Sequence, residues 1–217
     1  MFKAYIFDFD LTLADTATGI VSCCNYALEH MGHPLALPED IFVCIGKTVA
    51  ETYDILTGID DPDEALKFNE HWRQKANEIG NKCTTLFPDT IDVLTRLKSA
   101  GKKVAIVSNK TTHRIESVLR DFGIEHLIDF VLGIELHDEP KPRPGGLLMA
   151  LERFGITADC ALYIGDSLVD MRTANNAGVT FAAVTTGPIA AGAFKIAGAQ
   201  HVFYSLTKIA DKFLLGS

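Results

Sequence analysis

Cysteine is scarce in this chain, and its spacing excludes the sites that cysteines most often build. The 217 residues contain five cysteines, an odd number, and no two of them form a Cys-x-x-Cys pair. An odd count does not complete a disulfide framework, and a zinc ribbon needs paired cysteines at that spacing. We therefore expect reduced, mostly buried thiols and a fold that depends on its apolar core.

Excess positive charge and long apolar runs are also missing. Asp and Glu outnumber Lys and Arg by 28 to 20, which gives a formal net charge of -8. Nucleic acid is a disfavoured partner, because phosphate backbones are bound by clustered Lys and Arg. No apolar run approaches the roughly 20 residues that span a bilayer, and residues 1–10 lack the pattern of a secretion signal. We expect a cytoplasmic protein without nucleic-acid or membrane partners, in which a local pocket can still bind a small anion.

What is present is the periodicity of a parallel sheet. Short apolar runs typical of buried parallel strands lie at 4–9, 104–107, 130–132, 161–164 and 181–184. Segments with apolar residues at helical spacing lie between the later strands, at 111–122, 146–154 and 168–177. Because strands that alternate with helices form βαβ units, we predict an α/β fold with a doubly wound, Rossmann-like parallel sheet.

One stretch near the N-terminus departs from this alternation. Residues 16–82 contain no convincing strand, and the stripes at 19–31 and 63–79 are helical, each followed by a glycine. We therefore predict a core domain of residues 1–15 and 83–217 and a small helical cap domain of residues 16–82. An insert after the first strand is expected at the carboxyl end of the sheet, where α/β proteins bind ligands, and so to act as a lid.

Two aspartates follow the first predicted strand. Asp8 and Asp10 are two positions apart, and side chains at that spacing on an extended chain share a side. Close like charges raise one another's pKa, so one carboxylate can act as a nucleophile while the other holds a proton. An acidic turn that caps a following helix would use the same residue types.

A polar segment, Ser108-Asn109-Lys110, follows the strand at 104–107. A hydroxyl, an amide and backbone N–H groups at the start of a helix form a good seat for an anion. The same residues would also serve as an ordinary helix N-cap.

Lys141 lies in a turn made rigid by three prolines at 140, 142 and 144. Its ammonium group could neutralise a phosphate or pair with a catalytic carboxylate. Most lysines in turns are only solvated, so this residue taken alone is a weak indication.

A second pair of acids follows the strand at 161–164. Asp166 and Asp170 offer hard oxygen ligands of the kind that Mg²⁺ prefers, together with water and substrate phosphate. The alternative is a helix start at which an acid or Ser167 caps the first turn. Strand ends that supply acids, a hydroxyl and a cation together favour a site for a metal and a phosphate over a set of unrelated caps.

These motifs, in this order from Asp8 to Asp170, resemble the haloacid dehalogenase-like hydrolase superfamily. The resemblance is to its phosphatase branch with a small helical cap, which includes phosphoglycolate phosphatases, and it covers essentially the whole chain. It implies an Mg²⁺-dependent enzyme that hydrolyses small phosphorylated metabolites.

The resemblance also implies a role for each catalytic residue. Asp8 is the nucleophile that becomes a phosphoaspartate, and Asp10 protonates the leaving oxygen and then activates water. Ser108 holds the phosphoryl group with help from the backbone of Asn109. Lys141 balances charge around the nucleophile and the phosphate.

The same resemblance implies the metal ligands. Asp166 binds Mg²⁺ beside Asp8 and the backbone carbonyl of Asp10, and Asp170 supports the metal site.

Two features qualify the match. The family most often has glycine after the second aspartate of the first motif, and this chain has Leu11. The segment around Lys47 resembles the cap loop that contacts the leaving group, so Lys47 is a candidate for binding a carboxylate or a second phosphate. A solvated lysine at a helix start is an equal alternative.

Alternatives within the superfamily remain open. One is an inorganic pyrophosphatase, and another is a β-phosphoglucomutase-like phosphosugar mutase, which shares Asp8 and Asp10. A phosphono-aldehyde hydrolase or a dehalogenase does not need Asp10. From other classes, Gly165-Asp166-Ser167-Leu168 matches a serine-esterase signature, but the later His201 lacks the accompanying aspartate. A receiver-type signalling domain is disfavoured because its acceptor aspartate lies at the third strand.

Overall fold

The computed structural model describes residues 2–136 and 139–215. The chain forms two compact units. One contains the residues up to Ala14 and from Leu86 onward, and the other contains Asp15–Thr85. The predicted division into a core domain of residues 1–15 and 83–217 and a cap domain of residues 16–82 stays a prediction.

The strands of the described residues form a parallel six-stranded sheet in the first unit and one short pair. The strands are β1 (Ala4–Phe7), β2 (Ala14–Asp15), β3 (Thr85–Leu86), β4 (Lys103–Val107), β5 (Phe130–Leu132), β6 (Ala161–Gly165), β7 (Thr180–Val184) and β8 (Val202–Phe203). The sheet order is β5-β4-β1-β6-β7-β8, and β2 pairs with β3. Each neighbouring pair in the large sheet is parallel, which confirms the predicted α/β fold class.

The helices of the described residues divide between the two units. They are α1 (Ala17–His30), α2 (Pro38–Phe42), α3 (Val49–Thr57), α4 (Pro62–Ile79), α5 (Thr90–Ser99), α6 (Thr112–Asp121), α7 (Gly145–Phe154), α8 (Leu168–Ala177), α9 (Ala191–Ile196) and α10 (Leu206–Ala210). Short 3₁₀ turns lie at Glu125–Leu127, Ile134–Leu136 and Ala158–Cys160, and a π-helical turn at Asp211–Leu215. Within the described ranges, no helix combines the length and the apolar character needed to cross a membrane.

The sheet has an apolar layer on each face. Along β1, Tyr5 and Phe7 belong to one buried cluster, and Ala4 and Ile6 belong to the other. This alternation follows from the pleat, which points successive side chains to opposite faces. Helices α5, α6 and α10 contribute to the first cluster, and α7, α8 and α9 to the second. Such burial on both faces explains why the strands are continuously apolar.

The second unit is a small helical bundle with a core of its own. Helices α1 and α4 overlap the stripes predicted at 19–31 and 63–79. Helix α3 starts at a capping box, in which Thr48 and Glu51 exchange side-chain and backbone hydrogen bonds. The buried core contains Cys24, Ala27, Leu28, Ile41, Tyr53, Ala65 and Phe68.

The first strand is shorter than the sequence indicated. β1 ends at Phe7, two residues before the predicted end, although the backbone N–H of Asp8 still donates to Ile164 at 2.9 Å. The chain then turns sharply, because the carbonyl of Phe9 accepts from the backbone N–H groups of the three residues 12–14. This turn holds the segment that carries the first acidic pair.

Candidate active site

The carboxyl edge of the sheet brings the predicted motifs together. Phe7, the last residue of β1, lies opposite Ile106 of β4 and Ile164 of β6. Because the strands are parallel, the segments that follow them leave the sheet at the same edge. The side chains collected there are those of Asp8, Asp10, Ser108, Asp166 and, from the turn before α7, Lys141.

Lys141 lies between two buried carboxylates. Its Nζ is 2.6 Å from Asp170 Oδ1 and 2.8 Å from Asp8 Oδ1, the second being an ion pair outside aligned hydrogen-bond geometry. The hydroxyl of Tyr163 lies 3.3 Å from the same nitrogen. Burial alone would lower the pKa of Lys141, but Asp170 and Asp8 outweigh it and raise the pKa above its ordinary value. Lys141 therefore keeps its positive charge.

Asp170 anchors this lysine. Its Oδ1 accepts from Lys141 and lies 3.0 Å from the Tyr163 hydroxyl, which also lies 3.0 Å from the carbonyl of Val107. Its Oδ2 accepts from the hydroxyl of Ser167 at 2.5 Å and from the backbone N–H of Ser167 at 3.1 Å. Both oxygens are thus engaged, so Asp170 fixes Lys141 and caps α8 at the same time.

Asp166 is held from two sides. Its Oδ1 accepts from the hydroxyl of Thr12 at 3.0 Å, and a Cβ atom on Gly187 would overlap its carboxylate. Only a residue without a side chain leaves space for Asp166 there. Burial, followed by the charges of Asp170 and Asp8, raises the pKa of Asp166 well above its ordinary value.

The three buried acids fit a divalent cation. Asp8, Asp166 and Asp170 each place one carboxylate oxygen within 4.8 Å of the others. Burial raises the pKa of Asp8 to about 6, with Lys141 opposing the change and Asp170 adding to it. One lysine faces three carboxylates, and buried charge is costly unless it is neutralised. Hard oxygen ligands at this spacing can bind a metal such as Mg²⁺, which would supply the missing positive charge.

Asp10 has a partner to which the sequence reasoning assigned no role. Lys110 Nζ lies 2.8 Å from Asp10 Oδ1, and both side chains are largely removed from solvent. The loop after β4 thus contributes a second cation to the edge where Asp8 and Lys141 meet. This pair holds the Asp10 carboxylate in one orientation.

The segment after β4 is tied to its neighbours. The Ser108 hydroxyl is buried and accepts from the backbone N–H of Lys110 at 3.3 Å. The side-chain oxygen of Asn109 accepts from the backbone N–H of Lys141 at 2.9 Å. The Asn109 side chain therefore holds the turn that carries Lys141, and a contact between its backbone and a phosphate stays a prediction.

Leu11 adopts a backbone conformation that favours glycine. Its φ is 57°, which no other non-glycine residue in the described part of the chain shares in sign. A Cβ atom in the left-handed region costs about 1–2 kcal/mol. The conformation explains physically why a glycine after the second aspartate is common in proteins that resemble this one.

Lys47 lies in the helical unit, immediately before the Thr48 cap of α3, and is partly buried. Its backbone N–H donates to the carbonyl of Cys44 at 3.1 Å. A contact with substrate stays a prediction for this residue.

The serine-esterase alternative finds no support in the geometry. Ser167 follows the carboxyl end of β6, and its hydroxyl is used in the cap with Asp170. His201 immediately precedes the amino end of the parallel strand β8, so it lies at the opposite edge of the sheet.

Sequence reasoning assigned no role to several residues that complete this edge. Lys110 directly follows the Ser-Asn pair, and that adjacency was the available signal. Tyr163 lies inside an apolar strand and looks like core. Gly187 and Thr186 follow β7, at a strand end that offers no charged side chain. Their contacts depend on how distant segments meet, which local pattern does not encode.

Comparisons with known proteins agree with this geometry. The family described as haloacid dehalogenase-like hydrolase matches residues 5–184. A phosphoglycolate phosphatase of Aliivibrio fischeri is 30% identical over 195 residues, which cover 85% of each chain. A protein of Caldanaerobacter subterraneus named as a pyrophosphatase, PpaX, is 30% identical and covers 83% of this chain and 80% of its own. The solved structure of a protein from Bacteroides fragilis, named as a haloacid dehalogenase-like hydrolase, superposes with a TM-score of 0.93 at 39% identity, covering 96% of this chain and all of the other.

Proposed function

The chain belongs to the haloacid dehalogenase-like hydrolase family, and we propose that it is a phosphatase that hydrolyses small phosphate monoesters through a phosphoaspartate at Asp8. The phosphoglycolate phosphatase from Aliivibrio fischeri, similar over most of both chains, supports a phosphatase within this family. The observation that carries the proposal is the buried ion-pair cluster in which Lys141 joins Asp8 to Asp170. Asp166 places a further carboxylate oxygen beside them.

The first chemical step is attack by Asp8. A carboxylate oxygen of Asp8 forms a bond to phosphorus while the bond from phosphorus to the ester oxygen breaks. Phosphate esters resist this attack because their anionic oxygens repel a nucleophile, and the buried Lys141 ammonium offsets that repulsion. The Ser108 hydroxyl, also buried, is placed to hold the phosphoryl group.

Asp10 is the general acid in the first step and the general base in the second. It donates a proton to the departing ester oxygen, and then takes a proton from water as the water oxygen attacks phosphorus and the bond to Asp8 breaks. The products are an alcohol and inorganic phosphate, and Asp8 and Asp10 return to their starting forms. Lys110 contacts Oδ1 of Asp10 and so orients the group, and the proton that Asp10 donates is carried on its other oxygen, Oδ2.

A divalent cation, for which we propose Mg²⁺, would be held by Asp8 and Asp166, with the Asp10 carbonyl as a further ligand and Asp170 as support. When bound, it supplies positive charge that polarises the phosphoryl oxygens. The chain's own contribution is the placement of Asp166, which Thr12 and the bare backbone of Gly187 maintain.

Phosphoglycolate is the substrate we propose first. It carries a carboxylate beside the phosphate, and Lys47 in the helical unit is the cation proposed to bind it. The PpaX relative makes pyrophosphate the second candidate, and a phosphosugar mutase is the third. A small phosphorylated metabolite and a cytoplasmic location are part of the same proposal.

The test is a phosphate-release screen with Mg²⁺ on phosphoglycolate, pyrophosphate, sugar phosphates and p-nitrophenyl phosphate. We expect turnover by the wild type, none by Asp8→Asn, and wild-type turnover by Asp159→Asn, whose exposed carboxylate precedes β6 at the other end of the strand. Turnover by Asp8→Asn at the wild-type rate would refute the nucleophile. A sugar phosphate that isomerises without releasing phosphate would instead favour the mutase.

The role of Lys47 has its own test. Lys47→Ala should raise the KM for phosphoglycolate by roughly tenfold, since one charge-assisted contact is worth about 1.5–3 kcal/mol. The KM for p-nitrophenyl phosphate, whose leaving group carries no carboxylate, should stay unchanged. Equal changes for the two substrates would remove Lys47 from the substrate site.

A further inference from the structure

Thr186, in the segment that follows β7, has no part in the proposed chemistry, yet this segment contacts two parts of the site. Thr186 and Gly187 lie in a turn just past Val184, the last residue of β7. Because β7 is parallel to β6, this turn lies at the same edge of the sheet as Asp166. The turn contacts Leu11 and Asp166 there.

The first contact is with Leu11. The hydroxyl of Thr186 donates to the carbonyl oxygen of Leu11 at 2.5 Å, across 175 positions of sequence. The backbone N–H of Leu11 donates to the carbonyl of Ala14 at 2.8 Å. Both polar groups of Leu11 are therefore held, although its φ of 57° lies in the region that only glycine adopts without strain.

The second contact is with Asp166, which Gly187 approaches so closely that it has no space for a side chain. Asp166 in turn accepts from the hydroxyl of Thr12, the residue after Leu11. Together with the chain connections between neighbouring residues, these contacts form a ring of five residues: Asp166, Thr12, Leu11, Thr186 and Gly187. Leu11 is thus linked to Asp166 on one side through Thr12 and on the other through Thr186 and Gly187.

We propose that Thr186 is a positioning residue of the active site. Its hydroxyl stabilises the strained peptide of Leu11, and so keeps the neighbouring Asp10 and Thr12 in place. A glycine at position 11 would adopt the same conformation without help, so the need for Thr186 arises from the side chain that this chain carries there. The kinetic test of this inference rests on the proposed function, whereas the unfolding test does not.

The kinetic experiment compares Thr186→Val, which keeps the shape and removes the hydroxyl, with Thr186→Ser, which keeps the hydroxyl. We expect Thr186→Val to lower kcat about tenfold, as expected when one positioning hydrogen bond is lost. The KM for p-nitrophenyl phosphate should change little, and Thr186→Ser should retain most of the wild-type kcat. A Thr186→Val protein with lower thermal stability and unchanged kcat would overturn the proposal, because a merely structural threonine behaves in that way.

A second experiment measures thermal unfolding of the metal-free protein and does not need any enzymatic activity. Thr186→Val is introduced into three backgrounds: wild type, Leu11→Ala and Leu11→Gly. Both substitutions at position 11 remove the buried side-chain atoms beyond Cβ, but only glycine also removes Cβ and with it the strain. We expect Thr186→Val to lower the melting temperature by on the order of 3 °C with leucine or alanine, and by clearly less with glycine.

An equal loss of melting temperature in all three backgrounds would overturn the proposed link to the strained peptide. If Leu11→Gly does not fold, the comparison of Thr186→Val with Thr186→Ser still decides the matter. Absence of phosphatase activity in the wild type would refute the proposed function, while the unfolding comparison would still test the role of Thr186.

Discussion

Lys141 Nζ lies 2.6 Å from Asp170 Oδ1, and both side chains are removed from solvent. Asp170 also caps the helix that follows β6, so the lysine is attached to a fixed element of the fold. The same nitrogen pairs with Asp8, which makes Lys141 the one positive charge in contact with Asp8 and Asp170 among the described ion pairs. The relationship joins the turn before α7 to the proposed nucleophile.

Replacing Lys141 should therefore damage folding as well as activity. Lys141→Met leaves buried carboxylates without their partner, a change that costs about 3–5 kcal/mol in comparable sites. We expect this loss in the free energy of urea unfolding near neutral pH without metal, together with loss of phosphatase turnover. Lys195→Met, at an exposed position of α9, is the control and should change neither. A stable Lys141→Met protein would show that the cluster does not need the cation.

The stability of the metal-free protein should fall as the pH rises through the range in which Asp8 ionises. Burial raises the pKa of Asp8 from 3.8 to about 6, so the folded protein binds this proton more tightly than the unfolded chain. The bound proton on Asp8 stabilises the folded state fully below the ordinary pKa of 3.8, and this contribution is lost as the pH rises through about 6. The difference corresponds to roughly 3 kcal/mol. The pKa of Asp166 is also raised, so its ionisation likewise lowers the stability of the folded protein as the pH rises.

Urea unfolding with a chelator, from about pH 4 to about pH 8, measures this loss. Asp8→Asn removes the titrating group, so its stability should fall less over the same range. Added Mg²⁺ should stabilise the wild type more at the upper end, because metal ligands must be ionised. Identical pH profiles for the two proteins would contradict the assignment of the raised pKa to Asp8.

Gly187 should be required for metal binding. In Gly187→Ala the added methyl group would collide with the Asp166 carboxylate, which must then move. We expect at least a tenfold weaker affinity for Mg²⁺ by calorimetric titration, consistent with the cost of disturbing a group that supports a metal ligand. Gly192→Ala is a matched control in α9, where the added atom has open space. Unchanged affinity in Gly187→Ala would place the metal away from Asp166.

Lys110 should matter most for esters with poor leaving groups. Lys110→Gln releases the Asp10 carboxylate from its ion pair, and a misplaced acid protonates the leaving oxygen less well. We expect about a tenfold lower kcat for an alkyl phosphate and a smaller decrease for p-nitrophenyl phosphate, whose leaving group needs little protonation. Lys195→Gln serves as the exposed control. The same decrease for both esters would argue that Lys110 contacts the phosphate instead.

Most of the fold could be predicted because its signals are local. The helix at 168–177 coincides with α8, and the strands at 130–132 and 104–107 lie within one residue of β5 and β4. The short strand β8 was missed because two residues carry no periodicity. Helices α9 and α10 were missed for a similar reason, since five or six residues span fewer than two turns.

The site likewise contains residues that local sequence predicts and contacts that it does not. Asp8, Asp166 and Asp170 are placed together because each follows the end of a parallel strand, which the sequence makes visible. The partners of the site residues could not be predicted from local sequence. Tyr163 reaches Asp170 from inside a strand, and Thr186 reaches Leu11 from 175 positions away. Such contacts follow from strand order, and the order of β1, β6 and β7 is set by tertiary packing.

The central claim is that Asp8 forms a covalent bond to phosphorus, and mass spectrometry of the acid-quenched protein during turnover tests it most directly. We predict that wild-type protein mixed with phosphoglycolate and Mg²⁺ carries one phosphoryl group on the peptide that contains Asp8. Asp8→Asn should carry none under the same conditions. Rapid turnover by the wild type with every peptide unmodified, or a phosphoryl group on a different residue, would contradict the account.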